Sequence, residues 1–561
     1  MGVATVQAVP YVTGPYSTEL FGVGVRAASW RPVLAVLCLG IVVGCTIVQD
    51  PVSVEEREIN AAADRESMFV DQEPINGPLT LFDAMARAIK YNLDHRMKAL
   101  EEAVALRQVD VGSFDLLPKV VLNAGYTTRS EQNASVSRSI RTQLQSLEAS
   151  TSQDRDLWRL DGTATWNMLD FGASYFEARQ NGDRAHVARE RTRKVVHNLI
   201  ETVRFAYWRA AAAQQVEDKI DPALERAEQA LMASQAVERE NLQPILITLE
   251  YQKTLLEIVL RLESLRDELR FARLELVNLM NLKPGLLFIL DVPEYLTLST
   301  TVSELPVEEL EALALISRPE LFEADYKERI VVNEVHRSML KMFPGLQLSV
   351  SRQYDSNSFT VNQNWIEAGA RFSLNLIDMA AGPTALDLAK TSVEVAKAQR
   401  LALSMAILSQ VRLAQQQNQS LLRQYYRSRN LNSIDERIEK HMKASLGASA
   451  ESEIEEIRAT VTAIFSRLGK YEAYALVQNS AGRLYASIGL DPLPKTIGDD
   501  DLASIAEALE WRFSQWAAGN LTVEGGPLAG DLQNDDVTDG DKTDSSNTAD
   551  DFMLWLESLF G

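Results

Sequence analysis

Cysteine and histidine are scarce in this chain of 561 residues, and neither is grouped as a metal site requires. The two cysteines, Cys38 and Cys45, lie in one short N-terminal segment. The five histidines are scattered without the spacing of metal ligands: His95, His186, His197, His336 and His441. We therefore expect no disulfide framework, no metal site and no cofactor.

Sequence motifs of catalysis are missing as well. The chain contains no phosphate-binding P-loop, no dinucleotide fingerprint and no nucleophile elbow. Its serine-rich stretch at residues 146–152 is typical of a loop. We expect a protein that is not an enzyme.

Positive charge is in deficit. Lys and Arg number 56 against 78 Asp and Glu, so the formal net charge is −22. Because neutralising the phosphates of nucleic acid requires clustered Lys and Arg, we do not expect a nucleic-acid partner. Much of the acidic excess follows Lys495, so the chain before it is only mildly acidic.

The N-terminal segment has the features of an export signal. Arg26 and Arg31 precede an apolar run at residues 33–43, which is short for a membrane span but typical of a signal peptide. We expect residues 1–44 to be a signal peptide. The first 20 residues fit no charged leader region, so the translation start is open to reassignment.

The signal ends in "VVGC", which resembles the lipobox of bacterial lipoproteins, where cleavage precedes a cysteine that carries lipid. Cys45 is the predicted lipidation site, and residues 45–78 the lipidated linker. Thr46 follows it, rather than the aspartate that tends to signal inner-membrane retention. The alternatives are an ordinary cleavage site or an uncleaved anchor.

Residues 158–170 alternate between two faces, unlike the long helical stretches around them. Leu160 and Trp166 fall on one face, and Asp161 and Thr163 on the other. Residues 120–128 alternate in the same way, which predicts a hairpin with a polar loop between its strands. No run of about 20 apolar residues follows the signal, so we expect any membrane crossing to be made by strands.

The hairpin is duplicated. A second pair of strands is predicted at about residues 346–353 and 365–378. Both second strands end in a similar signature, "NMLD" at residues 167–170 and "NLID" at residues 375–378. Repetition of this length is a strong indication of an internal repeat.

The flanking helices repeat too, since "VRFA" at residues 203–206 matches "VRLA" at residues 411–414. Each half reads helix, strand, strand, long helix, turn, long helix. Apolar stripes are available to pack the long helices in an assembly: Leu246, Leu249, Leu256, Val259 and Leu260.

In order, spacing and duplication, residues 79–494 resemble the TolC-like outer-membrane efflux protein family, lipoprotein type. The motifs that carry the resemblance are "LTLFDAMARAIKYN" from Leu79, "RPEL" at residues 318–321, the two strand ends and the "LGAS" turn. One departure is the first turn, which has Asn-Leu-Gln where the family usually places a Gly-Leu pair. The acidic C-terminal tail has no counterpart in the family pattern.

The resemblance implies a mainly α protein with a small β part. Residues 79–299 and 300–495 form the two repeats, and three copies form a 12-stranded transmembrane β-barrel continuous with a periplasmic α-helical barrel. Physical reasoning also requires an oligomer, because four strands are too few to close a barrel whereas three copies supply twelve.

The implied function is an outer-membrane exit duct of a tripartite efflux or type I-like export system. It is a passive trimeric channel with a large periplasmic part, which works with a periplasmic adaptor protein and an inner-membrane transporter and sits in outer-membrane lipid. The predicted adaptor-docking turns comprise Asn241, Leu242, Leu446, Gly447, Ala448 and Ser449. The alternative is a periplasmic coiled-coil structural or polymer-binding lipoprotein.

Carboxylates are dense near the two helical turns: Glu238, Glu240 and Glu250 in the first half, and Glu451, Glu453, Glu455 and Glu456 in the second. In a threefold assembly each becomes a ring of three that favours cations and can act as a gate. Glu451 and Glu453 are the candidates, because they follow the turn directly. A solvated helix face is the alternative.

Residues 496–561 form a predicted acidic, largely disordered tail, because so polar a composition cannot bury enough apolar surface. Its first part, up to Trp516, has the pattern of a short amphipathic helix with Trp511 and Phe513. Its end, "DFMLWLESLFG", is apolar and suits docking to another surface.

Overall fold

The computed structural model describes residues 51–70, 72–240, 244–293, 296, 298–444, 450–493 and 501–521. It divides the chain into two units, Met1–Met68 and Phe69–Gly561. In the first unit, helix α1 (Val54–Ser67) is capped by the Ser53 side chain and buries no residue. The predicted signal peptide, Cys45 and the tail beyond residue 521 lie outside the described residues.

In the second unit, the first half begins with α2 (Leu81–Tyr91) and α3 (Leu93–Ser113). Two long strands follow, β1 (Lys119–Thr128) and β4 (Asp156–Asn167), with a small hairpin of β2 (Ala134–Ser135) and β3 (Ser150–Thr151) between them. The long helices α4 (Met168–Arg239) and α5 (Ile245–Leu279) complete this half.

The second half repeats this order. It contains α6 (Thr301–Glu304), α7 (Val307–Ser317), α8 (Pro319–Leu340), β5 (Gly345–Asp355), β6 (Asn364–Ser373), α9 (Leu376–Ala444) and α10 (Ala450–Ile488). Helix α11 (Leu502–Ala517) follows. The duplicated unit predicted from the sequence is confirmed.

The ends of β4 and β6 differ from the predicted bounds, which extended both strands to residues 170 and 378. The Asn167 side chain accepts hydrogen bonds from the backbone N–H groups of Leu169 and Asp170, so the helix starts at Met168. The Asn375 side chain caps α9 in the same way. The Asn that recurs in both repeat signatures is a helix cap rather than a strand residue, because its side-chain oxygen accepts from N–H groups that the first turn leaves free.

The four long strands form one antiparallel sheet in the order β1-β4-β5-β6. The two hairpins are joined by β4 and β5, with Thr163 opposite Ser351. All three pairings keep the alternation of side chains in register from one strand to the next. Side chains at opposed positions therefore share a face across the sheet, which gives one largely apolar face and one largely polar face.

Two apolar clusters hold the helices together. The larger joins α2, α7, α11 and the parts of α4, α9 and α10 next to them, with Met85, Tyr207 and Leu310 fully buried. The second lies between α4, α5 and α10, around Val216, Leu255 and Leu262. Both clusters contain residues of the two halves, so either half alone would expose apolar side chains to solvent.

Helix α11 belongs to the larger cluster. The predicted amphipathic helix up to Trp516 is confirmed, and it is a core element rather than part of a free tail, because Leu509, Phe513 and Trp516 are buried. Phe513 stacks 5.9 Å from the ring of Phe82 in α2. The predicted disordered segment and apolar end lie outside the described residues.

Candidate channel-forming site

One face of the sheet is largely apolar across all four strands, with exposed Arg352 as a charged exception between Gly162 and Ile366. The register places Leu122 opposite Gly162, and a side chain at Gly162 would meet Leu122 at 3.0 Å. The large residues of this face are exposed in the single chain: Val120, Leu122, Leu160, Val350, Ile366 and Phe372. An exposed apolar surface of this extent requires cover by lipid or by another protein.

Aromatic pairs lie at both ends of this face. The rings of Tyr126 and Trp158 are 4.8 Å apart at the loop end, and those of Trp166 and Phe171 are 5.5 Å apart at the helix end. Amphipathic rings at two levels are typical of the interfaces of a membrane.

The opposite face of the sheet is mostly polar, although Val121 and Trp365 also lie on it. The Asn123 amide donates to Asp161 Oδ2 at 2.9 Å, and the Gln353 amide donates to Glu367 Oε2 at 3.0 Å. Hydrogen bonds of this kind link neighbouring strands on a surface that meets water. The two faces thus differ in the surroundings that suit them, apolar for one and aqueous for the other.

Both outer edges of the sheet are unpaired. Among the described residues, β1 pairs only with β4, and β6 pairs only with β5. Their outward N–H and C=O groups need partners, since unpaired edges in an apolar medium are costly.

The predicted adaptor-docking residues Asn241, Leu242, Leu446, Gly447, Ala448 and Ser449 lie outside the described residues. The same is true of the side chains of the gate candidates Glu451 and Glu453 and of the predicted lipidation site Cys45. Next to the first turn, the Gln252 amide donates to Glu238 Oε2 at 2.8 Å. This bond ties the end of α4 to the start of α5.

An exposed apolar group lies at the start of α5, and only its Leu246 was singled out from the sequence, as part of a packing stripe. Ile245, Leu246 and Ile247 follow Pro244 and lie open to solvent. The signal that could have found them is the run "PILI" directly after a polar turn. Such a group beside the helix turn is a candidate contact for another protein.

Two carboxylates of the acidic group after the second turn are neutralised by arginines. Glu456 is buried and forms an ion pair with Arg226 of α4. Glu455 pairs with Arg458 at 2.6 Å. The acid density in the sequence therefore overstates the charge available for a gate.

A cluster of polar side chains joins the residue that follows α10 to helix α4. Asp491 follows α10 and accepts from Arg193 Nη2 at 2.7 Å, and it lies 2.8 Å from His197 Nε2. Burial alone would raise the pKa of Asp491, but the hydrogen bond to His197 and the charge of Arg193 bring it below its ordinary 3.8. Burial raises the pKa of neighbouring Glu190.

The described part of the chain contains no group of three or more His, Cys, Asp and Glu side chains arranged to hold a metal ion. None of its helices carries an apolar stretch of the length that a membrane crossing takes.

No protein-family model and no curated protein sequence matches the chain. Solved structures of outer-membrane channels match its fold. The CmeC outer membrane channel of Campylobacter jejuni has a TM-score of 0.57 at 13% identity, over 75% of this chain and 90% of that chain. The outer membrane protein VceC of Vibrio cholerae has a TM-score of 0.54 at 12% identity, over 73% and 96%.

CusC, described for its folding and transmembrane channel formation, has a TM-score of 0.56 at 15% identity and is covered over 96% of its length. The chain therefore has the fold of these outer-membrane channels, which confirms the fold that the predicted TolC-like resemblance implies. The prediction of a mainly α fold with a small β part is confirmed as well.

Proposed function

We propose that three copies of this chain form an outer-membrane exit duct of a tripartite efflux or type I-like export system. The observation that carries the proposal is the four-stranded sheet, with one exposed face that is largely apolar apart from Arg352, one mostly polar face and two edges that are unpaired among the described residues. Pairing β6 of each copy with β1 of the next would satisfy the edges and give a 12-stranded barrel with lipid outside and water inside.

In this assembly the long helices form a periplasmic barrel below the sheet. The helix turns at its far end dock the periplasmic adaptor protein, which connects the duct to an inner-membrane transporter. Exposed Ile245, Leu246 and Ile247 support this assignment, because apolar anchors beside a turn suit a protein contact. The duct is passive and not an enzyme.

The proposal includes a lipid anchor at Cys45 after removal of the signal peptide. The Cys45→Ser variant should incorporate no labelled palmitate, and equal labelling of variant and parent would refute the anchor. The lipid would hold the N-terminus at the membrane and would leave the strands unchanged.

The proposed gate is a ring of Glu451 or Glu453. The Glu451→Gln and Glu453→Gln variants should lower the cation preference of the open channel in planar bilayers, because a ring of carboxylates favours cations. Glu455→Gln is the matched control, since Arg458 already neutralises Glu455. Equal effects at all three positions would argue against a gate.

The duct is tested by electrophoresis of isolated outer membranes without boiling. We expect a band of three times the chain mass that boiling converts to the monomer, and channel conductance from the same material. A monomer in the soluble periplasmic fraction would instead support a coiled-coil structural or polymer-binding lipoprotein.

A further inference from the structure

The internal repeat allows each helix to be compared with its copy. Helix α4 begins at Met168 and α9 at Leu376, each after a capping Asn, and α3 begins at Leu93 where α8 begins at Pro319. Counting from these starts gives the residues of α4 and α3 their equivalents in α9 and α8. Helices α5 and α10 are aligned by the prolines that follow them, Pro284 and Pro492, which have the same separation as Met168 and Leu376. The flanking surroundings of equivalent helices differ sharply.

Helix α4 is covered on both flanks, by α3 and α5 on one and by α8 and α10 on the other. Among the described residues, α9 makes its main contacts with α7, α8 and α10. The flank of α9 equivalent to the α8 and α10 side of α4 is therefore open. The elements equivalent to α8 and α10 are α3 and α5, which α9 of the same chain does not contact extensively.

The open flank of α9 carries no charged residue over several turns, although it is exposed. Its members fall on one face at helical spacing: Thr384, Ala385, Leu388, Thr391, Val395, Ala398, Gln399 and Ala402. Charged residues of this segment, such as Lys390 and Lys397, lie on other faces. An uncharged exposed face is typical of a surface that a protein covers.

The outward side of α3 has matching chemistry. Its exposed residues Met97, Leu100, Val104 and Val111 fall on one face, and the helix buries no residue in the single chain. These positions are equivalent to residues of α8 that face α4. An apolar partner for the α9 face is therefore present on the same chain, at a place that only a second copy can bring to α9.

The contact between α4 and α8 inside one chain shows how closely such helices approach. The Gln180 amide donates to the Ile330 carbonyl at 3.2 Å and to Glu334 at 3.0 Å. Arg337 pairs with Glu177 at 2.9 Å, and Arg329 pairs with Asp183. The in-chain seam is therefore polar and ion-paired.

The equivalent positions between copies are apolar or small. Leu388 and Val104 replace Gln180 and Ile330, Ala385 and Val111 replace Glu177 and Arg337, and Thr391 and Ala103 replace Asp183 and Arg329. The repeat has lost each of these ion pairs while keeping the surfaces exposed.

The half of α9 nearer its turn gives the same result. Ile457, Ile464 and Leu468 of α10 are buried against α4. Their equivalents in α5 are Leu249, Leu256 and Leu260, which remain 46%, 47% and 64% exposed. Three more exposed apolar residues lie on the facing part of α9: Leu431, Ile434 and Ile438.

A polar pair marks the register of this second contact. Tyr471 Oη donates to Gln215 Oε1 at 3.3 Å within one chain. The equivalent residues are Glu263 in α5 and Arg423 in α9, which carry opposite charges. Neither forms an ion pair within the described part of the chain.

We infer that, in the proposed trimer, α9 of each copy packs against α3 and α5 of the next copy through an apolar seam. Where α9 meets α3, this seam occupies positions that are ion-paired between α4 and α8 inside one chain. This inference rests on the proposed function for the number of copies. It adds the surfaces, the register and the chemistry of the contact.

The seam is tested by disulfide cross-linking of the full chain in membranes. The Val104→Cys/Leu388→Cys variant should give covalent dimers and trimers on a non-reducing gel, because the equivalent in-chain residues touch and a disulfide needs such proximity. Leu106→Cys/Leu388→Cys is the matched control, since Leu106 is also exposed but lies on the other side of α3. The parent chain, with Cys38 and Cys45, gives the background.

Cross-linking of the first pair alone supports the inference. No cross-link above background, or equal cross-linking of both pairs, in a chain that is still trimeric by native mass overturns the seam and leaves the proposed duct intact. Absence of any trimer overturns both.

A second variant pair keeps the test independent of disulfide chemistry. Arg423→Glu alone should lower the fraction of trimer, and Glu263→Arg combined with it should restore the trimer. Failure of the double variant to recover would contradict the register of α5 on α9.

Discussion

Helices α4 and α9 are similar in length, 72 and 69 residues, and each follows a capping Asn at the same place in its repeat. They differ in burial. Val187 in α4 is 7% exposed, whereas its equivalent Val395 in α9 is 51% exposed. The two repeats therefore contain the same helix at the same place, and the side chains on the flank of each helix match the elements that lie beside it. The α4 flank carries charges paired with α8, and the α9 flank carries none.

The largest effect on stability is expected from removing α11. This helix follows the second repeat and packs on α2 of the first repeat. A chain that stops after Pro494 loses buried Leu509, Phe513 and Trp516, and large buried aromatics each contribute roughly 3–5 kcal/mol. Chemical denaturation should show a strong loss of stability. A chain that stops after Leu521 is the control and should unfold like the parent; equal stability of both would show that α11 is dispensable.

The next prediction separates the two long helices directly. Val187→Asp should destabilise the single chain by roughly 3 kcal/mol, because it buries a charge without a partner. Val395→Asp should leave the chain folded by circular dichroism and reduce the trimer seen by size-exclusion chromatography with light scattering. Lys397→Glu, on another face of α9, controls for added negative charge. Trimers that tolerate Val395→Asp would break the comparison.

The sheet offers the same contrast between its two faces. Ala164→Arg should cost about 2–4 kcal/mol of insertion near the membrane midplane, whereas Thr165→Arg points into water and should be tolerated. The yield of heat-sensitive trimer in isolated outer membranes measures both. Equal tolerance at the two neighbouring positions would indicate a sheet that meets water on both faces.

The smallest effect concerns Asp491, whose counterpart in the first half is Lys283. Its pKa lies below 3.8 in the folded chain, so the stabilisation is present above that ordinary value and is lost as pH falls through the lowered pKa. The side chain is 42% exposed, which limits the effect to about 1 kcal/mol. Denaturation between pH 7 and pH 3 should show a smaller loss for Asp491→Asn than for the parent.

Most of the fold follows from sequence alone, because the repeat and the alternation of the strands are encoded locally. The predicted ends of β4 and β6 lay too far along the chain. Asn167 and Asn375 fit the alternation of a strand as well as the position of a helix cap, so the sequence alone does not distinguish the two. The packing of α11 could not be predicted. Its partner Phe82 is hundreds of residues away in the sequence, and its partner Tyr485 lies in a different helix.

The candidate site was predictable in part. The two-faced sheet was found from period-two alternation at residues such as Trp166 and Thr165. The pairing of Glu456 with Arg226 was not, because ion pairs between distant helices leave no local signal. The sequence stripe containing Leu246 and Leu256 was correctly apolar, but only the fold shows that it is exposed in one chain.

The unpaired edges of the sheet belong to two different strands, β1 and β6, so each copy has a head and a tail rather than one self-complementary edge. Two copies joined head to tail still leave one edge of each kind open, and only ring closure removes both. A subunit with a blocked β6 edge would therefore prevent closure of any ring that contains it. A minority of such subunits should inhibit assembly of the normal subunits.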